Sequence, residues 1–441
     1  LPRILRESSQ TGLKCFVFEF ICLPWKVPVS PVSAVRGFFR LTKNEKPFTI
    51  FPRESIIKAM KTAVIGGGAS GMVFAIECAR RGGEVTLYER HGRVGKKLCA
   101  TGGGRCNLLN AELSFSVYND ARFAEKIFTL VPKSRIESFL KSTGLFLTEP
   151  DERGRIYPVT ETASTVVDCL RFALLREGVK SRFAAVERIE KTRGKFTVVC
   201  SDGDGGEFDK VVLACGSGSQ TENPRLDRFV DGKYLTRTEP SLTPLKVDNP
   251  LKGIGGVRVK ARGALLSGSR RLGVQEGEIQ FRDFGLSGIM MFDLSALIAR
   301  ERVAGISEKY DLEVDFLPFL DFCRLNEELE YRLSCGAGRD GVFRGLLQSK
   351  LADQIARRAR CFTAAELARS AKKHIFSNAV TMSYEMSQVT CGGVDVNCLD
   401  EGLALPDGTV VVGEALNMDG LCGGYNLAFA FASALAAADR I

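Results

Sequence analysis

The stretch from Lys61 to Glu89, KTAVIGGGASGMVFAIECARRGGEVTLYE, has the pattern of a strand, a glycine turn, a helix and a second strand that ends in an acid. Gly66, Gly68 and Gly71 have the G-x-G-x-x-G spacing. The first glycine permits a tight turn, the second lets backbone approach a pyrophosphate, and the third lets the helix pack close to the strand. The stretch therefore predicts a dinucleotide-binding turn.

The predicted helix begins at about Ala69 and stops at Gly82-Gly83. Its N-terminus is an anion site, because the first-turn amides have no acceptor within the helix and the helix dipole is positive there. Glu89 follows Gly71 by 18 residues, at the end of the second strand. A carboxylate in that place can bind the two ribose hydroxyls of an adenosine half and disfavours a 2′-phosphate.

A second copy of the glycine spacing occurs at Gly336, Gly338 and Gly341, in CGAGRDG. It follows the charged, helix-like segment Asn326–Ser334, and no apolar strand with a terminal acid comes after it. A fingerprint requires a strand before it and a helix after it. We therefore interpret this copy as a loop.

Composition indicates a globular protein of two or three domains, since the 441 residues are 45% hydrophobic and 26% charged. The net charge is +9, but residues 1–59 contain ten Lys or Arg and four Glu, which leaves +3 for residues 60–441. No basic patch interleaved with aromatic residues indicates nucleic acid, so we expect a small-molecule substrate and no nucleic-acid partner. The sequence leaves the oligomeric state open.

Cysteine and histidine usage predicts a cytoplasmic protein without a metal centre. The 14 cysteines include no C-x-x-C pair, which favours reduced thiols over a disulfide framework or a zinc site. His91 and His374 are the only histidines, too few for a histidine metal centre or a catalytic triad. The apolar segment Cys15–Trp25 is too short for a membrane span and is broken by Glu19 and Pro24.

The chain divides into four predicted segments. Residues 1–59 are expected to be a leader, either a disordered or a non-native extension, with Met60 as the natural start and a targeting role as the alternative. Residues 60–238 form the first part of a nucleotide domain. Residues 239–371 form a β-rich and helical insertion, and residues 372–441 form the C-terminal part of the nucleotide domain.

A second glycine-rich loop follows the second strand, where Arg90 leads into CATGGGRCN at 99–107. Three glycines beside Arg105 offer amides and a cation to a phosphate or to the polar edge of a flavin, and a plain flexible loop is the alternative. Cys99 and Cys106 have six residues between them, whereas a flavin disulfide reductase would have four. We therefore predict no redox pair, and Cys106 is either a lone reactive thiol or a buried one.

The end of the chain predicts a further part of the same nucleotide fold. Phe208–Gly218 is an apolar strand that ends in a glycine loop, and Thr409–Glu414 is a strand that delivers an acid. Gly423-Gly424 precedes a helix, Leu427–Ala438, that is apolar on every side and is therefore buried. The N-terminus of this helix has no acid and can face an anion.

Five motifs together resemble one protein family: GGGASG followed by Glu89, TGGGRCN at 101–107, GRIYP at 154–158, FGLSG at 284–288 and GEALNMDGLCGGYNLAFA at 413–430. They resemble the bacterial YhiN-like flavoproteins, also called BaiN-type or aminoacetone-oxidase-like NAD(P)/FAD-dependent proteins. The resemblance runs in order from Met60 to Ile441. It implies an α/β fold, with a glutathione-reductase-type FAD-binding Rossmann domain built from both chain ends and an inserted β-rich and helical substrate domain.

The resemblance also implies which residues bind FAD. The fingerprint glycines would cradle the pyrophosphate, Glu89 the ribose, and residues 102–107 the flavin. Glu414 would meet the ribityl or pyrophosphate region, and residues 424–426 would place amides at the flavin pyrimidine edge. The cofactor-binding residues predicted in this way are Gly66, Gly68, Ala69, Ser70, Gly71, Glu89, Arg90, Lys97, Gly103, Gly104, Arg105, Cys106, Asn107, Val186, Gly216, Gly413, Glu414, Gly424, Tyr425, Asn426 and Leu427.

A flavin carries the redox chemistry, so the protein has to bind, orient and tune it. Helix amides near N1 and the C2 carbonyl would stabilise the negative charge of the reduced flavin. We predict an oxidoreductase that accepts hydride at flavin N5 from a nicotinamide or a small organic substrate. With one sound fingerprint, NAD(P)H would bind only transiently at the flavin face. No side chain is identified as catalytic, and the alternative is a non-catalytic flavoprotein or one that modifies or binds RNA or a protein partner.

Overall fold

The computed structural model describes residues 59–203, 205–219 and 226–441, so all of the predicted leader except Ala59 lies outside the described residues. Over these residues the strands are β1 Lys61–Ile65, β2 Glu84–Tyr88, β3 Leu109–Asn110, β4 Arg155–Ile156, β5 Lys180–Arg182, β6 Val186–Thr192, β7 Lys195–Cys200, β8 Gly206–Phe208, β9 Lys210–Leu213, β10 Glu239–Ser241, β11 Leu245–Lys246, β12 Arg258–Ser267, β13 Arg270–Arg282, β14 Gly285–Ser287, β15 Asp311–Asp315, β16 His374–Phe376, β17 Val380–Thr381, β18 Val389–Cys391 and β19 Val410–Val411. The helices are α1 Ala69–Arg80, α2 Lys96–Ala100, α3 Ala121–Leu130, α4 Lys133–Ser142, α5 Ala163–Arg176, α6 Ile289–Val303, α7 Phe322–Ser334, α8 Ser349–Arg358, α9 Ala364–Lys372 and α10 Tyr425–Ala438.

A five-stranded parallel sheet in the order β19-β9-β1-β2-β5 forms the nucleotide-fold part of the molecule. Strand β1 is apolar and buried from Thr62 to Ile65, as a parallel strand covered on both faces has to be. Helix α1 connects β1 to β2 and ends where Gly82 adopts a positive φ of 90°. The strand–turn–helix–strand prediction is confirmed, and so is the Rossmann fold class.

Strand β19 joins this sheet from the far end of the sequence, pairing Val410 with Val212 and Val411 with Leu213. Helix α10 then packs against α1. It is buried along almost its whole length, as its apolar sequence predicts. The parallel sheet therefore takes strands from both ends of the described chain.

A seven-stranded antiparallel sheet in the order β16-β15-β12-β13-β14-β11-β17 lies between these two parts in sequence. Helices α7, α8 and α9 pack beside it in a second hydrophobic core, which comprises residues between 245 and 379. The antiparallel and helical predictions are confirmed. Strands β16 and β17 lie after the expected boundary at residue 372 but pair within this sheet, and the division into domains stays a prediction.

Further helices and a glycine turn lie outside the two sheets. Helices α3 and α4 lie within residues 121–143, and α5 lies within residues 161–177. The second glycine copy, Gly336–Gly341, follows α7 as a turn in which Gly341 N donates to Gly338 O, so the loop interpretation is confirmed. Among the described helices, none has both the length and the apolar character that crossing a membrane requires.

A buried ion pair ties α6 to the loop before α10. Arg300 donates from Nε and Nη2 to Asp419 Oδ2, at 3.2 Å each, and from Nη2 to the carbonyls of Val117 and Asp419. The Asp419 side chain is completely buried. Burial of a charge without a partner is expensive, so this arginine is needed to keep the aspartate in place.

We expect Arg300→Met to lower the free energy of unfolding by about 3–5 kcal/mol, because the change leaves the buried Asp419 carboxylate without its cation. The matched control is Arg171→Met on α5, whose partner Asp168 is 59% exposed; the loss of such a surface pair costs less than about 1 kcal/mol. Urea denaturation followed by circular dichroism measures both. Equal losses in the two variants would contradict the structural role of Arg300.

Candidate cofactor site

The three fingerprint glycines differ in what surrounds them. A Cβ atom on Gly66, whose φ is +111°, would lie 2.6 Å from Ala214 O, and one on Gly71 would lie 1.9 Å from Gly66 O. A Cβ on Gly68 would have Ala214 O, at 4.0 Å, as its nearest neighbour. Gly66 and Gly71 are therefore required by the turn and the helix packing, whereas Gly68 borders open space where a pyrophosphate can approach.

The N-terminus of α1 opens onto that space. No acid lies in its first turn, and no carbonyl or side chain among the described residues accepts from the amides of Ala69, Ser70 and Gly71. Free amides at a helix N-terminus bind anions. The arrangement fits the diphosphate of a dinucleotide.

Glu89 lies at the carboxyl end of β2 beside this turn. Its Oε2 accepts from Gly67 N at 3.0 Å and its Oε1 accepts from His91 N at 2.8 Å. Two backbone amides therefore fix the orientation of a carboxylate that is 9% exposed. Arg90 lies directly after it and bonds to the His91 ring, and burial lowers the pKa of that imidazole.

A polar cluster joins the ends of β9 and β19. Lys97 Nζ lies 3.0 Å from Glu414 Oε2 and 2.6 Å from Ser219 Oγ, and Ser219 Oγ donates to Glu414 Oε1 at 2.5 Å. Thr390 N donates to the same Oε1 at 3.2 Å, while a Cβ on Gly216 would lie 3.4 Å from Lys97 Nζ. The structure thus places Lys97, Gly216 and Glu414 together.

Sequence reasoning missed Ser219 and Thr390 in this cluster. Ser219 follows the predicted strand and its glycine loop, so a scan of every polar residue there would have included it. Thr390 comes from β18, and no local pattern links that strand to Glu414.

The glycine-rich loop is open at its tip. Gly103 and Gly104 have φ of 66° and 88°, and no atom lies within 4 Å of where a Cβ would be on either. Arg105 pairs with Glu161 at 2.6 Å and stacks on Tyr157 at 4.5 Å from the ring centroid. Its charge is therefore partly neutralised by the protein, and the amides are the groups left to meet a ligand.

Cys106 is completely buried in this loop. Burial raises the pKa of its thiol to about 11. Because the thiolate is the reactive form, a thiol with that pKa is inert at neutral pH. Of the two alternatives that the sequence left open, the buried thiol is the one observed, and both Cys99 and Cys106 are free.

The loop is tied to the start of α10 at one corner, comprising Asn107, Asn110 and residues 422–424, which we call the glycine corner. With its amide oriented to satisfy both neighbours, Asn107 accepts from Gly424 N at 3.0 Å and donates to Leu109 O at 3.0 Å. Asn110 Nδ2 donates to Gly423 O at 2.9 Å. A Cβ on Gly424, whose φ is +97°, would lie 2.4 Å from Leu109 O, so only glycine fits there.

The first turn of α10 presents backbone rather than side chains. The amides of Tyr425, Asn426 and Leu427 have no acceptor among the described residues. The Asn426 side chain turns back to bond with Gly420, and Tyr425 O accepts from Tyr118 OH. This end of the helix can therefore stabilise negative charge on a bound group.

Two predicted residues lie deeper in the protein. A Cβ on Gly413 would lie 2.3 Å from Ser70 Oγ, and Gly413 N donates to Ser433 Oγ at 3.0 Å, so Gly413 packs between α1 and α10. Val186 is buried at the start of β6, paired with Cys200. Both Gly413 and Val186 are therefore buried, and neither lies at an open surface.

Four of the predicted site residues lie at the same edge of the parallel sheet. Gly66, Glu89, Gly216 and Gly413 each follow a strand of the parallel sheet, and the carboxyl ends of parallel strands are where open α/β sheets bind ligands. The turn at residues 66–71, the cluster around Glu414 and the glycine corner are therefore carried by elements that meet at the same edge.

Comparison with known proteins agrees with this geometry. The model of the HI0933-like protein Rossmann domain matches residues 60–440. A 3-dehydro-bile acid delta(4,6)-reductase of Clostridium scindens is 32% identical over 403 residues, covering 85% of this chain and 97% of the relative. Ribosomal RNA dihydrouridine synthases of Haemophilus influenzae and Escherichia coli are 22% and 25% identical, covering 85% and 86% of this chain and 96% and 97% of the relatives.

Alanine substitutions in the fingerprint should separate folding from cofactor binding. We expect Gly71→Ala to cost about 1–3 kcal/mol of stability, because its Cβ would overlap Gly66 O. We expect Gly68→Ala to keep the wild-type unfolding midpoint, since its φ of −83° suits alanine, and to weaken FAD binding at least about tenfold. Thermal unfolding and FAD titration of the apoprotein measure the two effects; an unchanged FAD affinity in Gly68→Ala would contradict the assignment.

Proposed function

The chain belongs to the HI0933-like family of FAD-binding Rossmann proteins and is an FAD-dependent oxidoreductase, and we propose that it accepts hydride at flavin N5 from a nicotinamide and passes it to a small organic substrate. The observation that carries the proposal is the pair of helix N-termini whose amides have no acceptor among the described residues, one at residues 69–71 and one at residues 425–427. One suits a diphosphate and the other suits the electron-rich end of a reduced flavin.

The residues of the chain would bind and orient the cofactor. Amides of residues 69–71 would hold the diphosphate, and Glu89 would accept from the ribose hydroxyls. The Glu414 carboxylate, held by Lys97 and Ser219, would accept from the ribityl hydroxyls. Amides of residues 425–427 would lie at the pyrimidine edge, and bound FAD would supply the hydride-accepting atom.

The reductant is proposed to be NADH or NADPH bound transiently. The described chain offers one strand–glycine–helix unit of the dinucleotide type, at residues 61–89, since the second glycine copy lies in a turn after α7. A nicotinamide would therefore bind at the flavin face and leave before the substrate enters. This order predicts ping-pong kinetics.

The substrate is proposed to be a carbon–carbon double bond conjugated to a carbonyl group. This proposal is supported by the printed names of the relatives, because a delta(4,6)-reductase and a dihydrouridine synthase both saturate such a bond. We rank a small-molecule substrate above ribosomal RNA because the relative that is 32% identical is named for a 3-dehydro-bile acid.

Anaerobic stopped-flow absorbance tests the hydride proposal. We expect NADH or NADPH to bleach the visible absorbance of the bound flavin, and a 3-dehydro-bile acid with a 4,6-diene to restore it. Gly68→Ala, which we expect to keep the fold but to weaken FAD binding, serves as the control. If neither nicotinamide reduces the flavin, the proposed reductant is wrong; if no enone reoxidises it, the proposed substrate class is wrong.

Ribosomal RNA is the second candidate substrate, supported by the two dihydrouridine synthases that span nearly the whole chain. Incubation of unmodified ribosomal RNA with the FAD-loaded protein and NADPH, followed by nucleoside mass spectrometry, distinguishes the candidates. We expect no gain of dihydrouridine if the substrate of this protein resembles that of the bile-acid reductase. A gain of dihydrouridine would overturn the expectation that the protein has no nucleic-acid partner.

A cytoplasmic location is also proposed. It is supported by the twelve cysteines of the described residues, all of which are free thiols. Reduced thiols persist in a reducing compartment.

A further inference from the structure

Helix α6 reaches from the antiparallel sheet to the loop at residues 419–422, directly before the glycine corner. Ala296 forms a small hydrophobic cluster with Leu242 and Val389, and Phe292, Leu421 and Cys422 pack against this cluster. Asp293 and Arg300 are seven positions apart, so they lie on one side of the helix, and each bonds to this loop. One helix thus delivers two ionisable side chains to the same place.

The two carboxylates at this loop have different surroundings. Asp419 is completely buried and held by the Arg300 guanidinium. Asp293 has no cation in contact among the described residues; its Oδ1 accepts from Cys422 N at 2.7 Å and its carboxylate also accepts from the Cys422 thiol. Burial raises the pKa of both carboxyls, but the Arg300 guanidinium opposes this shift through direct hydrogen bonds at Asp419, which suits the two groups to different acid–base roles.

Asp293 is 8% exposed, so water can reach it. Burial raises the pKa of its carboxyl to about 6, opposed by hydrogen bonds from Cys422 and by the charges of Arg300 on its own helix and of Arg153 in the turn before β4. On the α10 side, burial, Glu112 and Asp293 together raise the pKa of Tyr425. The carboxyl is therefore close to half-protonated in the range where a general acid works best.

Asp293 also lies beside the proposed flavin edge. Its partner Cys422 is two residues before Gly424, after which the unpaired amides of α10 begin. Asn107 and Asn110 hold the same corner through their hydrogen bonds to Gly424 and Gly423. A substrate placed between α6 and the flavin edge would meet this carboxyl.

We propose that Asp293 is the acid that protonates the substrate during reduction. The inference rests on the proposed function, since it requires a double bond conjugated to a carbonyl group. Hydride supplied by the reduced cofactor would bond to the carbon at the far end of the conjugated system, and the displaced electron pair would shift through that system onto the carbon next to the carbonyl. The Asp293 carboxyl gives its proton to that carbon and becomes a carboxylate, which water reprotonates.

The test uses FAD-loaded protein reduced anaerobically with dithionite and mixed with a 3-dehydro-bile acid bearing a 4,6-diene. The variants are Asp293→Asn, which keeps an acceptor for Cys422 N, together with Asp293→Glu, Cys422→Ser and the control Asp168→Asn on the exposed face of α5. Flavin reoxidation is followed from about pH 5 to about pH 8. The visible spectrum of the resting oxidised flavin is titrated over the same range.

For the wild type we expect the reoxidation rate to fall about tenfold per pH unit above about pH 6, because only the protonated acid donates. Asp293→Asn should lower the rate about 10²–10⁴-fold and remove this pH dependence. Asp293→Glu should restore part of the rate with its pH dependence, Cys422→Ser should keep the pH dependence, and the control Asp168→Asn should keep both. The resting spectrum should titrate near pH 6 in the wild type and the control but not in Asp293→Asn.

An Asp293→Asn protein that reoxidises at the wild-type rate with the wild-type pH profile overturns the inference and leaves the proposed function intact. Loss of the pH dependence in Cys422→Ser alone also overturns it, because the thiol would then be the donor. If the wild type does not reduce the diene, the proposed substrate class fails. In that case the resting spectrum of the oxidised flavin tests the inference about Asp293, and a spectrum that does not titrate near pH 6 overturns it too.

Discussion

The pairing of β19 with β9 is the constraint on which the rest of the structure depends. Val410 and Val411, which belong to the C-terminal part of the chain, complete the parallel sheet begun by β1. Their position puts Glu414 beside Lys97 and brings α10 against α1. Without that pairing, the two helix N-termini that define the candidate site would not belong to one sheet edge.

The pairing of β19 with β9 also explains how the part of the chain that carries the antiparallel sheet reaches the candidate site. Because the chain leaves the nucleotide fold after residue 230 and re-enters it near residue 394, the intervening core is held at both of its ends. Helix α6 then packs on the loop that leads into α10, where Asp293 and Arg300 bond to it. The groups proposed to orient the cofactor and the groups proposed to meet the substrate thus come from separate cores, which would allow the substrate side to change without rebuilding the cofactor side.

Several groups that look functional in the sequence are structural in the fold. Cys106 lies in the glycine-rich loop but is sealed in the core, and the Arg105 guanidinium is paired with Glu161. Gly71 is required by the contact between α1 and the turn, whereas Gly68 alone keeps open space. Backbone amides and a few fixed carboxylates are therefore the described groups that we propose to carry the chemistry of this edge.

The sequence alone determined the local units and their class. Glycine spacing, the apolar run of β1 and the acid at Glu89 specify a dinucleotide turn, because each requirement is met within 29 consecutive residues. Only the tertiary structure decided which distant polar groups meet: Ser219 and Thr390 at Glu414, and Asp293 at Cys422. The physical reason is that periodicity and turn chemistry act over a few residues, whereas these hydrogen bonds join groups 24 to 195 positions apart, and only the packing of both cores sets their positions.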